Sequence, residues 1–114
     1  MSDCLFCKII AGTIPAKLVH EDDRAVAFRD LNPQAPTHIL VVPRQHIASI
    51  NDLSDGDTPL VGHLHVVAAK LAQAESIAAT GYRLVFNTGP QAGQTVSHIH
   101  LHLLGGRALG WPPG

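Results

Sequence analysis

At 114 residues the chain is long enough for one compact domain with a single modest core, so the whole span 1–114 reads as one domain. Hydrophobic residues at 46% and charged residues at 15% exclude a disordered chain, and so low a charge points to surface buried against a second subunit. A net charge of −1 gives no basic field for nucleic acid and no polybasic face for a membrane, so an anionic ligand must be held by a local site.

The chain opens Met1-Ser2-Asp3-Cys4-Leu5-Phe6, without the basic region and apolar run of a secretory leader. No segment approaches the roughly 20 apolar residues that cross a bilayer. A cytoplasmic address follows, where thiols stay reduced. The pair Cys4 and Cys7 then reads as a metal clip or a redox pair before a structural disulfide. Residues 4–11 form a short helix stopped by Gly12. Residues 17–21 and 24–29 alternate loosely around Asp22-Asp23, which predicts a hairpin. N-P-Q-A-P at 32–36 is a proline-pinned loop, and H-I-L-V-V-P is a strand ended by Pro43.

The longest helix starts at Thr58, an N-cap, with Pro59 at the first helical position. Leu60, Leu64, Val67, Leu71, Ala74 and Ala78 place one apolar stripe along it, and Gly81 ends it. Residues 82–87 are a strand, and 88–96 a loop with glycines at 89 and 93. The last strand carries S-H-I-H-L-H-L-L-G-G, residues 97–106. Five strands with one long and one short helix, mostly in hairpin succession, predict an antiparallel α+β domain.

On that last strand His98, His100 and His102 share one face while Ile99, Leu101 and Leu103 enter the core. A merely solvated face needs no imidazole at three successive positions. Same-face neighbours lie about 6.5–7 Å apart, so all three rings cannot reach one ion whose bonds are about 2.0–2.1 Å. A row of imidazoles suits an extended anionic group, with one ring as nucleophile and another as donor to phosphate oxygens. The preceding G-P-Q-A-G-Q-T, residues 89–95, offers glycine, amide and hydroxyl groups that let backbone approach a phosphate.

The segment H-I-H-L-H-L-L resembles the histidine triad signature, His-φ-His-φ-His-φ-φ with φ apolar. K-I-I-A-G-T-I-P-A-K, F-R-D-L-N-P-Q-A-P-T-H and L-G-G-R-A-L-G-W-P-P-G extend the likeness over nearly the whole chain. They look like the Hint branch, homodimeric purine nucleoside phosphoramidases with a HIT-like fold. The resemblance implies that His100 attacks the α-phosphorus to give a nucleotidyl-histidine that water hydrolyses. It implies that His98 orients His100, directly or through its carbonyl, and that His102 donates to a phosphate oxygen. Gln94, the amides near Gly93, and Asn87 complete the phosphate side. Thr95 stands where the family usually has serine and would donate to the leaving amine; its extra methyl stiffens that side chain. Asp30 matches the carboxylate that binds the ribose hydroxyls. Leu5, Phe6, Ile9, Phe28 and Leu31 would form the purine slot, and Trp111 of a partner's tail would border the leaving-group pocket.

Cys4-x-x-Cys7 with two histidines makes a tetrahedral Cys₂His₂ zinc set. Zinc is favoured over a redox pair because no thioredoxin-like βαβ pattern surrounds the motif. By resemblance the ligands are Cys4, Cys7, His46 and His98. His38 is the alternative to His46, or else a hydrogen-bonding partner within the triad. His20, His63 and His65 have no motif around them. A rival reading makes the protein a nucleotide-binding scaffold with weak residual hydrolysis; a third, a zinc-dependent hydrolase, conflicts with the triad's spacing.

Overall fold

A computed structural model describes residues 3–114; Met1 and Ser2, the first residues of the segment read as lacking a leader, lie outside the described residues. Helix α1 (Leu5–Ile10) is followed by strands β1 (Leu18–Glu21), β2 (Ala25–Arg29) and β3 (Thr37–Pro43). Two 3₁₀ turns then lead into helix α2 (Thr58–Ala74), and β4 (Tyr82–Val85) and β5 (Leu101–Gly105) complete one sheet. The strand order is β1-β2-β3-β5-β4, and every pairing is antiparallel. The α+β antiparallel expectation is met.

Alternation along the strands builds two cores. Ala25, Ala27, Ile39, Val41, Leu101 and Leu103 face α2 and pack on Leu64, Val67, Ala68 and Leu71. The intervening residues, Val26, Phe28, Leu40 and Val42, face the other way and pack on Phe6 and Ile9 of α1. On β5, His102 falls between Leu101 and Leu103, so the triad side of the sheet is the α1 side.

The β1–β2 turn works as read, through Asp22. Its Oδ1 accepts from the amides of Arg24 at 2.7 Å and Ala25 at 2.8 Å, an Asx turn. Its Oδ2 lies 2.7 Å from Nε2 of both His20 and His63, tying the hairpin to α2. Two histidines without a sequence motif are thus structural partners of one carboxylate.

Helix α2 departs from expectation at both ends. Asp57 is the N-cap, so Thr58 is the first helical residue and Pro59 the second. The helix stops at Ala74, well before Gly81, and Ala78 is exposed beyond it. Ser76 takes φ 61°, the Ser76 amide donates to Gln73 O at 3.1 Å, and the Ile77 amide donates to Ala72 O at 3.0 Å. These two bonds make a Schellman ending with serine in the left-handed position that glycine ordinarily fills. It delivers Ile77 into the core against Gly105, where an added Cβ would meet Ile77 Cδ1 at 2.5 Å.

Candidate active site

Only His102 of the triad lies on a regular strand; His98 and His100 sit on the segment running into β5. The reason is local. β3 ends at Pro43, and the Ile99 amide donates to Ile47 O at 2.8 Å, in the loop beyond it. The alternation nevertheless persists, with Ile99, Leu101 and Leu103 all buried in the α2 core. The histidines are not a solvated face: His98 and His100 are buried and His102 is half-buried.

Backbone contacts assign the tautomers. His98 Nε2–H donates to the Pro43 carbonyl at 2.8 Å, leaving its Nδ1 as the lone-pair nitrogen. His100 Nδ1–H donates to the His98 carbonyl at 2.8 Å, leaving the Nε2 of His100 unprotonated on a ring that lines the cleft. Of the two ways His98 was expected to orient His100, the carbonyl contact is the one formed.

A second chain of hydrogen bonds runs in from β3. The Gln34 amide donates to His38 Nδ1 at 3.0 Å, so His38 carries its proton on Nε2. That Nε2–H donates to His102 Nδ1 at 2.8 Å, with Asp30 Oδ2 further away at 3.5 Å. His102 must then hold its own proton on Nε2, and that buried nitrogen has no partner among the described residues. An orphaned buried donor costs about 1–3 kcal/mol, which a ligand oxygen would recover. Burial, reinforced by the neighbouring His100 and His38 rings, pushes the His102 pKa down to about 4, so it stays a neutral donor. Burial likewise lowers His38, against the pull of Asp30.

The cleft has a volume of about 230 Å³. Leu5, Phe6, Ile9, Phe28 and Leu31, the five residues expected to grip a base, all line it, together with Asp30, Thr95, His100 and His102. Phe6 meets the His100 ring edge-on, centroids 4.9 Å apart, and Phe28 at 5.4 Å. Asp30 Oδ1 accepts from the Asn32 amide at 2.8 Å. The preceding residue, Arg29, clasps Glu75 through two bonds of 2.8 and 2.9 Å, anchoring this end of β2 to the end of α2.

Four of the expected substrate-binding residues stand apart from the cleft lining, Asn87, Gly93, Gln94 and Trp111, as does the fully buried His98. Gln94 braces its own loop and ties it to the loop beyond β3. Its Oε1 accepts from the Gly89 amide at 3.2 Å, and its Nε2 donates to Ala48 O at 2.7 Å and Val96 O at 3.1 Å. The amides of Gly93 and Gln94 donate to Pro90 O and Gly89 O. Those donors hold the loop's shape and are not turned to a ligand. Trp111 is exposed, with the Arg83 guanidinium 6.0 Å above its ring.

On the far side of His98 a second cluster gathers Cys4, Cys7, His46 and His98, their ligand atoms all within 4.8 Å of one another. The His98 Nδ1 lies 3.4 Å from Cys4 Sγ, 3.5 Å from Cys7 Sγ and 3.2 Å from His46 Nδ1. A tetrahedral ion with bonds of about 2.3 Å to sulfur and 2.0–2.1 Å to nitrogen separates its ligands by roughly 3.3–3.8 Å. The four residues fit a metal ion, and the His98 tautomer presents the needed lone pair. His46, not His38, belongs to this set; His38 takes the alternative place, within the triad.

An antiparallel five-stranded sheet carrying a buried histidine row above an apolar cleft defines a histidine triad protein. The comparisons agree. The family profile described as "Scavenger mRNA decapping enzyme C-term binding" matches residues 3–109. The chain is 53% identical over 112 residues to an uncharacterised HIT-like protein of Synechococcus elongatus, covering 98% of this chain and 97% of that one. It is 51% identical over 108 residues to the purine nucleoside phosphoramidase of Escherichia coli, covering 95% and 91%. The crystal structure of a HIT family hydrolase from Legionella pneumophila superposes with a TM-score of 0.97 at 58% identity, covering 98% of this chain and 100% of that one. This chain belongs to the HIT family, and it is an enzyme.

Proposed function

We propose that the protein hydrolyses purine nucleoside 5′-phosphoramidates, and related acyl-nucleotide anhydrides, through a covalent nucleotide on His100. The observation that carries this reading is the His100 ring, pinned through Nδ1–H with its Nε2 lone pair available in the cleft. Beside it stands the unpartnered His102 Nε2–H. The 51% identity to a purine nucleoside phosphoramidase supports the same class.

His100 Nε2 attacks the α-phosphorus, forming the P–N bond to imidazole as the P–N bond to the leaving amine breaks. The amine departs with a proton passed through the Thr95 hydroxyl from solvent. Water then attacks the phosphorus as the P–N bond to His100 breaks; the nucleoside monophosphate leaves with the hydroxyl, the water's other proton goes to solvent, and His100 is regenerated with its proton on Nδ1. The His98 carbonyl stabilises positive charge on the ring at Nδ1–H, and His102 Nε2–H meets the charge growing on a non-bridging oxygen. Asp30 accepts from the ribose hydroxyls, and the Phe6, Phe28 and Leu31 wall takes the base by its faces. Gly93 and Gln94 act one step removed, by shaping the loop before the triad, and Asn87 is proposed to reach the phosphate side.

Zinc is the ion proposed for Cys4, Cys7, His46 and His98, in a structural role, since thiolate and imidazole in a tetrahedral set favour it. The working form is proposed to be a cytoplasmic homodimer that engages neither nucleic acid nor membrane. β4 ends the sheet with an open backbone edge, and the exposed Trp111 is placed by this reading at the partner's leaving-group side.

Mass spectrometry of protein quenched during turnover of adenosine 5′-phosphoramidate tests the mechanism. A nucleotidyl mass on the peptide bearing His100, absent in His100→Ala along with nearly all turnover, is the expected result. A variant that kept more than about a tenth of the rate would refute it, since losing a covalent nucleophile costs several orders of magnitude.

A further inference from the structure

We propose that metal binding at Cys4, Cys7, His46 and His98 and nucleoside binding in the cleft are coupled through helix α1, with Phe6 as the positioning residue, so that each ligand tightens the other. The inference rests on reading the cleft as a nucleoside site and the cluster as a zinc site.

Helix α1 has six residues, too few to persist alone; isolated helices below about 12–15 residues are marginal in water. Two things hold it. One is the packing of Phe6 and Ile9 onto the sheet. The other is the cluster, because Cys4 is the N-cap of α1 and Cys7 lies in its first turn. Their cluster partners belong to the rest of the fold: His46 follows β3, and His98 is bonded to the Pro43 carbonyl. An ion there bolts the start of α1 to the end of β3.

The same short helix is a wall of the cleft, through Leu5, Phe6 and Ile9. Phe6 stands between the two cysteines in sequence and between the two sites in space. Its ring lies 6.0 Å from the His98 ring, 4.9 Å from the His100 ring and 5.4 Å from Phe28, each edge-on. Without the ion, the thiol–imidazole contacts of 3.4–3.5 Å hold the start of α1 less firmly than metal bonds do, so this short helix is freer to move off the sheet. That movement withdraws the wall. A nucleoside packed against Phe6 opposes it, so linkage requires nucleotide to raise metal affinity by the same factor that metal raises nucleotide affinity.

Calorimetry with AMP on zinc-loaded and chelated protein, paired with zinc competition titrations with and without AMP, measures both arms. About tenfold is expected on each arm, within the usual range of such couplings. Hydrogen exchange should show the Lys8 and Ala11 amides, bonded to Cys4 O and Cys7 O, losing protection on zinc removal while β3 and β5 keep theirs. Phe6→Ala should still bind zinc but lose the dependence of AMP affinity on it, and Phe6→Leu should restore most of that dependence. Zinc-loaded wild type that does not bind AMP would sink the nucleoside reading as well. AMP affinity indifferent to zinc would overturn the coupling alone. Loss of protection throughout the sheet would make the ion a staple of the whole fold and overturn the role of α1. Coupling undiminished in Phe6→Ala would overturn it too, routing the effect through His98 and His100.

Discussion

His38→Ala is the substitution that probes the site's least direct contribution. His38 does not line the cleft proper, yet it is buried and makes two hydrogen bonds, from the Gln34 amide at 3.0 Å and to His102 Nδ1 at 2.8 Å. Removing it leaves the Gln34 amide donor and the His102 Nδ1 acceptor of a part-buried network unmet, at about 1–3 kcal/mol each where water does not replace the ring, so stability should fall by up to roughly 2–6 kcal/mol. For a domain of this size that is a melting temperature lower by about 10 °C or more. The catalytic effect is separate. Without His38, the His102 proton is free to sit on Nδ1, where it cannot reach the phosphate. Losing an oxyanion donor outright costs about 10²–10³ in kcat, and losing only its orientation should cost less, roughly tenfold. Steady-state kinetics on the folded variant, at a temperature well below its transition, gives the single effect. A cycle with His102→Ala gives the coupling: once His102 is gone, removing His38 should cost almost nothing further in kcat. Fully additive losses, or an unchanged kcat in His38→Ala, would refute the relay.

Freshly prepared, unchelated protein should carry about one zinc per chain, and Cys4→Ser with Cys7→Ser should lose it; metal analysis finding none in the wild type would sink the site. Leu31 is 92% exposed at the rim of the cleft, so Leu31→Ser should leave the melting temperature within about 2 °C while raising KM for nucleoside phosphoramidates several-fold. Equal loss of kcat with KM unchanged would remove Leu31 from the base site. Acid should weaken the fold through His102, whose pKa lies near 4 when folded and at 6.5 when free. The unfolded chain takes up that proton first, so the contribution is full above about pH 6.5 and is lost progressively as pH falls towards 4. Melting temperature against pH should be flatter over that window in His102→Asn than in wild type; identical slopes would refute the assignment.

Much of the fold was legible because the chain states its periods clearly. Strict alternation marked the histidine segment, loose alternation β2 and an apolar run ended by Pro43 β3, while the four- and three-residue steps from Leu60 to Leu71 marked α2. The failures have local causes. The stripe ran on through Ala74 and Ala78, and alanine is too small and too common to say whether a position is core. What stops the helix is Ser76 at φ 61°, and nothing in a serine announces a left-handed backbone. The commitment to that turn comes from Ile77, which the Schellman bonds swing into the core beside Gly105. A glycine inside the pattern at 105 was the one available sign of that close approach.

The site divides along a similar line. Residue types and spacing single out His98, His100, His102 and the cysteine pair, because each is a local pattern with its own chemistry; the apolar slot came only from the family resemblance, since by composition its residues are simply core. Types and spacing could not say which histidine goes where once strands pair. Register puts His38 opposite Leu104 and Leu40 opposite His102, so His38 and His102 meet on the diagonal. That contact, and with it the proton on His102 Nε2, exists only after β3 and β5 are aligned. Gln94 failed in the opposite sense. Its amide is the right chemistry for a phosphate, but both side-chain donors are taken by backbone carbonyls, Val96 O of its own loop and Ala48 O of the loop beyond β3. Donor count in a glycine-rich loop therefore overstates what a ligand finds there. The triad, by contrast, keeps the His102 Nε2–H unspent in a buried place where leaving it so is costly, beside the cleft-lining His100 ring. In a row of otherwise satisfied rings, that one unspent donor is the strongest structural argument that the cleft exists for a substrate.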